Sequence, residues 1–264
     1  MVSFLVYIFI LLIVILLFIY FKKINYEYNN IKCLVVVCGG ARTFYECIDS
    51  QYNHVITKLT QNNQNVDILF YLKKTDPGPK GQEGWNFEYE DVENETINDK
   101  INKLKDQDIK VLSKIINKDE IDDNELLKKV KDRSKYIDFL SNDDNLIRCL
   151  HQFYNFKKCG EIIKNQNIDY DYYIFLRPDL FFTKSCFPIE KYSSTKVTLH
   201  PDKVKDHYLD QLAIIPKDQF NNFFFGRLKF METNTSVSFG KSEEIFVYTI
   251  DHETKNIGDF YIKR

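Results

Sequence analysis

Residues 169–182, "DYDYYIFLRPDLFF", hold one apolar run between two acidic marks. The run Tyr172–Leu176 is short, continuous and aromatic or branched, the pattern of a strand buried on both faces of a parallel sheet. Asp169-Tyr170-Asp171 precedes it and so falls at the strand's N-terminal edge, beside a helix-to-strand loop. Asp179 lies just past the carboxyl end. Pro178 has no N–H for a central ladder, so the strand should break there and turn its side chains outward. Open α/β sheets bind ligands outside the carboxyl ends of their strands. Asp179 is therefore the candidate site residue, and the literal D-x-D at 169–171 reads as a solvated loop.

Outward from this stretch the chain repeats the same grammar. "CLVVV" at 33–37 reads as a second buried strand and ends in Cys38-Gly39-Gly40-Ala41-Arg42, a strand-to-helix turn. Ile48, Tyr52, Val55, Ile56 and Leu59 then recur at helical spacing, and "VDILFYL" at 66–72 is a further strand. Strand, helix and strand with short links imply a βαβ unit and a parallel sheet. Gly39 and Gly40 follow the first strand at the same sheet edge as Asp179. Small residues there let backbone approach a phosphate, which N–H groups at a helix start favour.

Residues 76–140 loosen the pattern. Asp76-Pro77-Gly78-Pro79 breaks the chain, and residues 83–99 carry seven acids and no Lys or Arg, as a solvated flap would. Weak helices are expected near 97–107 and 122–132, with a strand "IKVLSKI" between them. Ser141-Asn142-Asp143-Asp144 reads as a capping box. The helix after it should bury Leu146, Ile147, Leu150, Phe153, Tyr154, Ile162 and Ile163. "YLDQLAII" at 208–215 is a strand interrupted by Asp210-Gln211, and Ser242-Glu243-Glu244 opens a last helix.

The N-terminus differs from the rest. Residues 3–21 are almost wholly apolar and uncharged. Nineteen residues at 1.5 Å each come to about 28 Å, enough for a bilayer core. The expected organisation is a transmembrane anchor at 1–23, a stalk at 24–30 and a single domain from 31 to 264. Lys22 and Lys23 favour a cytosolic domain by the positive-inside rule. The sequons Asn94-Glu95-Thr96 and Asn234-Thr235-Ser236 suit a lumenal one. The six cysteines form no C-x-x-C pair and read as buried thiols. A net charge of −2 gives no broad electrostatic case for nucleic acid as a partner. His200, His207 and Asp210 fit no standard zinc spacing, and G-x-S-x-G and H-E-x-x-H are absent.

Taken in order, the Gly-Gly-Ala-Arg turn, "VDILFYL", "YDYYIFLRPDLFF", "YLDQLAIIPKDQFNNFF" and "SEEIFVYTI" resemble a group of GT-A-type glycosyltransferase-like proteins found in giant viruses and algae. "RPDLFF" and "LDQLAII" are the specific parts. The resemblance covers most of residues 31–252, and the insertion at 76–140 matches nothing. It implies a GT-A-like, Rossmann-like α/β fold with a mostly parallel sheet flanked by helices. It also implies a nucleotide-sugar donor, a glycan or glycoprotein acceptor, and Mn2+ or Mg2+ held by Asp179 in the D-x-D place. Gly39, Gly40, Arg42, Arg177 and Asp179 would bind the nucleotide sugar, with Asp210 and Glu243 near the acceptor. Glu243 suits a general base for an acceptor hydroxyl, and Arg177 suits a fixed fork for the diphosphate. Arg177 occupies the family's first acidic position, a departure that bears on metal dependence rather than fold. A non-catalytic carbohydrate- or nucleotide-binding relative, or a scaffold, is the other expectation.

Overall fold

Three apolar runs of the sequence form the centre of one sheet. β1 (Lys32–Gly40) lies between β2 (Asn65–Lys73) and β4 (Tyr172–Leu176), parallel to both. The structure, a computed structural model, describes residues 9–20, 31–41, 43–61, 65–74, 94–105, 109–116, 120–186, 188–201, 208–255, 257 and 260–262. β3 (Val111–Ile116) adds a parallel edge strand beside β2, so the stretch expected as an insertion contributes to the main sheet. On the other side stand β7 (Tyr208–Pro216), β6 (Val197–Pro201) and β8 (His252–Thr254), giving the order β3-β2-β1-β4-β7-β6-β8. β7 is antiparallel to both its neighbours, and β8 is parallel to β6. The sheet is therefore mixed and mostly parallel. β5 (Leu180–Phe182) and β9 (Phe260–Ile262) make a small antiparallel pair apart from it.

Period-2 alternation sends the two halves of each strand to different cores. Cys33, Val35 and Val37 of β1, with Ile174 and Leu176 of β4, face one helical layer. That layer holds α2 (Phe44–Gln51), a π-turn (Tyr52–Ile56), α3 (Thr57–Gln61) and α4 (Asn94–Lys105). Leu34, Val36, Tyr173 and Phe175 face the other. It comprises α5 (Asp123–Lys128), α6 (Asp143–Asn165), α7 (Arg227–Met231) and α8 (Ser242–Tyr248). All five residues of β4 are buried, as the unbroken apolar run requires. Each fully buried large apolar side chain contributes about 1.5–3 kcal/mol.

α6 starts where the sequence indicates, with a different cap. The Asn142 side chain accepts from the Asn145 backbone N–H at 3.2 Å, so a lone asparagine cap replaces the expected capping box. On the same layer Arg227 is 1% exposed. Its guanidinium carbon lies 4.3 Å from the rings of Phe156 and Phe246 and 4.5 Å from that of Phe223, and it donates to the Phe223 carbonyl. Its charge is enclosed by aromatic faces. All six cysteines are unbridged, and five of them are buried.

Residues 9–20, within the expected 3–21 span, form helix α1, and its large apolar side chains from Phe9 to Tyr20 are exposed. Residues 3–8, Lys22 and Lys23 lie outside the described residues, as does Asp76–Pro79. Among the described residues no helix is long and apolar enough to cross a membrane. Asn234 of the second sequon is 4% exposed, and its amide donates to the Val237 carbonyl at 2.8 Å. That nitrogen is engaged within the folded chain.

Candidate functional site

The carboxyl ends of β1 and β4 meet through a glycine and a proline. Gly39 has φ +143°, a conformation that favours glycine, and a Cβ there would stand 3.0 Å from Pro178 Cδ. Gly40 follows as the last residue of β1, and Ala41 N–H donates to the Lys73 carbonyl at 2.8 Å, which closes the turn against β2. Arg42 lies outside the described residues. The Gly39-Gly40 turn and Arg177-Pro178-Asp179, 138 positions apart by their first residues (177 − 39), thus share one sheet edge.

The polypeptide around Asp179 is held from below by α2. Gln51, fully buried, directs its Nε2 at three carbonyls: Arg177 at 3.0 Å, Pro178 at 3.2 Å and Leu180 at 3.0 Å. One residue earlier, Ser50 Oγ accepts from Phe182 N–H at 3.1 Å and donates to the Cys47 carbonyl at 2.8 Å. The π-turn extends this clamp. Its His54 carbonyl accepts from Cys186 N–H at 3.1 Å, a bond that a helical carbonyl with its usual partner would make less readily. Sequence reasoning missed Gln51. The signal is present, because Ile48, Gln51 and Val55 share one apolar stripe and a polar residue there needs a buried partner.

Asp179 is 2% exposed and pairs with Arg177 through both carboxylate oxygens. Arg177 Nε donates to Oδ1 at 3.0 Å and Nη2 to Oδ2 at 2.5 Å, a bidentate, charge-assisted arrangement. The Arg177 side chain remains 29% exposed, against 3% for Asp179. So the structure brings together two residues expected at one site, but it joins them to each other. The fit of the expected divalent ion to Asp179 is poor, because both of its oxygens already serve the guanidinium. Among the described residues no group of three His, Cys, Asp or Glu side chains is placed to hold a metal.

Arg177 N–H donates to the Gln211 carbonyl at 2.9 Å, which carries the β4–β7 ladder past Leu176. Asp210, the preceding residue of β7, is by backbone position beside this edge. The Gln211 amide oxygen is buried without a partner among the described residues. His200 is 7% exposed, and its Nδ1 accepts from Ile257 N–H at 3.3 Å, so that nitrogen serves the fold. His207 lies outside the described residues.

Glu243 and Glu244 divide their labour in the first turn of α8. Glu244 Oε2 accepts from the N–H groups of Gly240 at 2.8 Å and Lys241 at 3.3 Å, and so caps the helix. Glu243 accepts from Ser242 Oγ at 3.1 Å and joins neither Arg177 nor Asp179 by a hydrogen bond or ion pair. Under the Gly39 turn, Tyr71 pairs in register with Cys38, and burial pushes its phenol far above the usual range. A phenol held neutral there is no base.

At the opposite edge, Asp169 is 88% exposed on its side chain and sits 3.1 Å from Lys217 Nζ. Asp171 Oδ2 accepts from Lys32 N–H at 2.8 Å, at the start of β1. The two ends of the "DYDYYIFLRPD" run are thus separated by the full length of β4.

No protein-family model matches the sequence, and neither does any curated protein. Among solved structures the chain is similar to the galactosyltransferase LgtC in complex with donor and acceptor sugar analogues. That likeness has 9% identity and a TM-score of 0.48, over 85% of this chain and 73% of that one. An active-site mutant of LgtC gives 9% identity and a TM-score of 0.49, over 85% and 72% of the two chains. The apo-form glycosyltransferase GlyE of Streptococcus pneumoniae TIGR4 gives 10% identity and a TM-score of 0.41, over 85% and 45%. Likenesses this distant say nothing of donor, acceptor or residue roles in this chain.

Proposed function

We propose that this chain is a membrane-anchored glycosyltransferase that moves a sugar from a nucleotide-diphosphate sugar to a hydroxyl of a glycan or glycoprotein. The observation that carries the reading is the meeting of Gly39-Gly40 with Arg177-Pro178-Asp179 at the carboxyl edge of neighbouring parallel strands. A glycine turn admits a diphosphate to backbone there, and a partly exposed guanidinium offers it charge. The sequence resemblance to RPDL-type glycosyltransferase-like proteins supplies the reaction class.

Asp210 and Glu243 are assigned to the acceptor side. In the inverting form of the reaction, the Glu243 carboxylate takes the acceptor hydroxyl proton while its oxygen forms the new bond to the anomeric carbon. The bond from that carbon to the diphosphate breaks, and the nucleoside diphosphate leaves with the electron pair. Arg42 is assigned to the donor with Gly39 and Gly40. The apolar, exposed α1 supports an anchor over residues 3–21, in which bilayer lipid covers the side chains from Phe9 to Tyr20. A lumenal endomembrane placement follows the glycosyltransferase reading. Asn94 is its reporter, since the Asn234 amide is engaged in the fold.

The test uses the full chain in detergent with a panel of UDP- and GDP-sugars, following donor hydrolysis and transfer. Asp179→Asn should lower the rate on the order of a hundredfold. Joint replacement of Asp169 and Asp171 by Asn should leave it nearly intact. A dead 169/171 variant beside an active Asp179→Asn would reverse the assignment of the sheet edge. The ion-paired Asp179 favours a second reading, a GT-A-like binding or scaffold protein without turnover. Nucleotide-sugar binding with neither hydrolysis nor transfer would select it. The anchor predicts retention of the full chain in carbonate-washed membranes, and its release into the supernatant would refute it.

A further inference from the structure

The expected ligand for a divalent ion is already neutralised. Both oxygens of Asp179 receive N–H groups of Arg177, at 3.0 and 2.5 Å, and the carboxylate's side chain is 3% exposed. The guanidinium is the more exposed partner at 29%. The backbone that carries the pair is held on two sides. Gln51 holds the carbonyls of residues 177, 178 and 180 from below, and Pro178 packs close to Gly39, where a Cβ would stand 3.0 Å from Pro178 Cδ. A hard divalent ion wants several oxygen ligands. To use Asp179 it would have to displace the guanidinium and leave that cation beside it, partly buried and stripped of this carboxylate.

We propose that Asp179 is a positioning residue that aims Arg177, that Arg177 is itself a cation of this edge, and that the site binds a diphosphate without a divalent metal. This rests on the nucleotide-sugar reading for its ligand class, but the metal half stands on the ion pair alone. Asp179 engages Nε and Nη2 of Arg177 and so holds the guanidinium in a fixed orientation, and it is the opposite Nη1–Nη2 edge that would meet phosphate oxygens. Asp179 keeps that fork oriented in the absence of ligand, so less ordering remains to be done when the anion arrives.

Two titrations on the full chain in detergent decide it. The first follows Mn2+ alone by electron paramagnetic resonance. Wild type and Asp179→Asn should give the same titration, and Arg177→Ala, which uncovers the carboxylate, should gain Mn2+ affinity over both. Mn2+ bound by wild type and lost in Asp179→Asn would overturn the proposal. Should Arg177→Ala fail to fold, the wild-type and Asp179→Asn comparison still decides. The second follows UDP and GDP by calorimetry, once with EDTA and once with Mn2+. The same Kd is expected in both, weakened on the order of tenfold by Arg177→Gln, the loss of one charge-assisted contact. Asp179→Asn should weaken binding equally with and without the metal, which a general loss of fold would not produce if the melting temperature holds. Binding that requires Mn2+ would overturn the proposal. Absence of nucleotide binding in both conditions would remove the glycosyltransferase reading, while the Mn2+ titration would still judge the role of Asp179.

Discussion

Replacing Gln51 tests whether α2 builds the site or merely passes beneath it. Its Nε2 has two hydrogens shared among three carbonyls at 3.0, 3.2 and 3.0 Å, the bonds to Pro178 and Leu180 being buried. Gln51→Leu keeps the volume and removes the donor. A buried carbonyl left without its partner costs about 1–3 kcal/mol, and two hydrogens can fully satisfy two such groups. The Gln51 Oε1 is itself buried without a partner among the described residues, so losing it returns part of that cost. The net expectation is about 2–3 kcal/mol, or roughly 5–10 °C in melting temperature for a domain of this size. Gln51→Glu sharpens the test, since it replaces the donor by a carboxylate facing carbonyl oxygens. Its folded pKa must rise above the unfolded value, so the variant is most stable at low pH and loses stability as pH rises. Thermal unfolding of both variants from pH 5 to pH 8 should show a flat line for Gln51→Leu and a fall for Gln51→Glu. Nucleotide affinity should drop in both. A melting shift below about 2 °C for both variants, with no pH difference between them, would refute the clamp.

The other predictions concern the neighbouring parts. Gly39→Ala places a Cβ 3.0 Å from Pro178 Cδ at φ +143°, so a destabilisation of about 1–3 kcal/mol and weaker nucleotide binding are expected from denaturation and calorimetry. Glu244→Ala should cost about 1 kcal/mol as a lost cap. Glu243→Gln should leave the melting temperature unchanged and reduce transfer by about a hundredfold or more. Burial pushes the Cys186 thiol from 9.0 up to about 12 and the Tyr173 phenol from 10.0 up to about 12. Raised folded values mean stabilisation that is complete below the unfolded values and lost as pH climbs toward the folded ones. Melting temperature should therefore hold up to about pH 9 and fall between about pH 9 and 12.

Much of the sheet was legible in one dimension. The unbroken apolar runs at 33–37 and 172–176, and the run at 66–72 with its single polar residue Asp67, read as strands buried on both faces, and such strands sit in the centre of a parallel sheet. The same logic placed Asp179 beyond the carboxyl end of its strand and Asp169 and Asp171 at the other edge. Strand ends were less legible. β1 runs on to Gly40 because its ladder with β2 continues to Gly40 opposite Lys73, and no local signal marks that. β3 was weak in sequence because its burial is partial, with one of its six residues buried.

The partner of a charge is a different kind of information. Arg177 and Asp179 are two residues apart, yet whether they reach outward separately or close on each other depends on the shape of the turn between them. That shape is held by Gln51, 126 positions from Arg177, and by the missing side chain of Gly39. Hydrophobic periodicity reports which face of an element is buried, because burial acts on each residue alone. Hydrogen bonds and ion pairs are directional and non-local, so the tertiary structure alone decided that Asp179 faces a guanidinium, that Glu244 rather than Glu243 caps α8, and that a glutamine in an apolar stripe holds the turn.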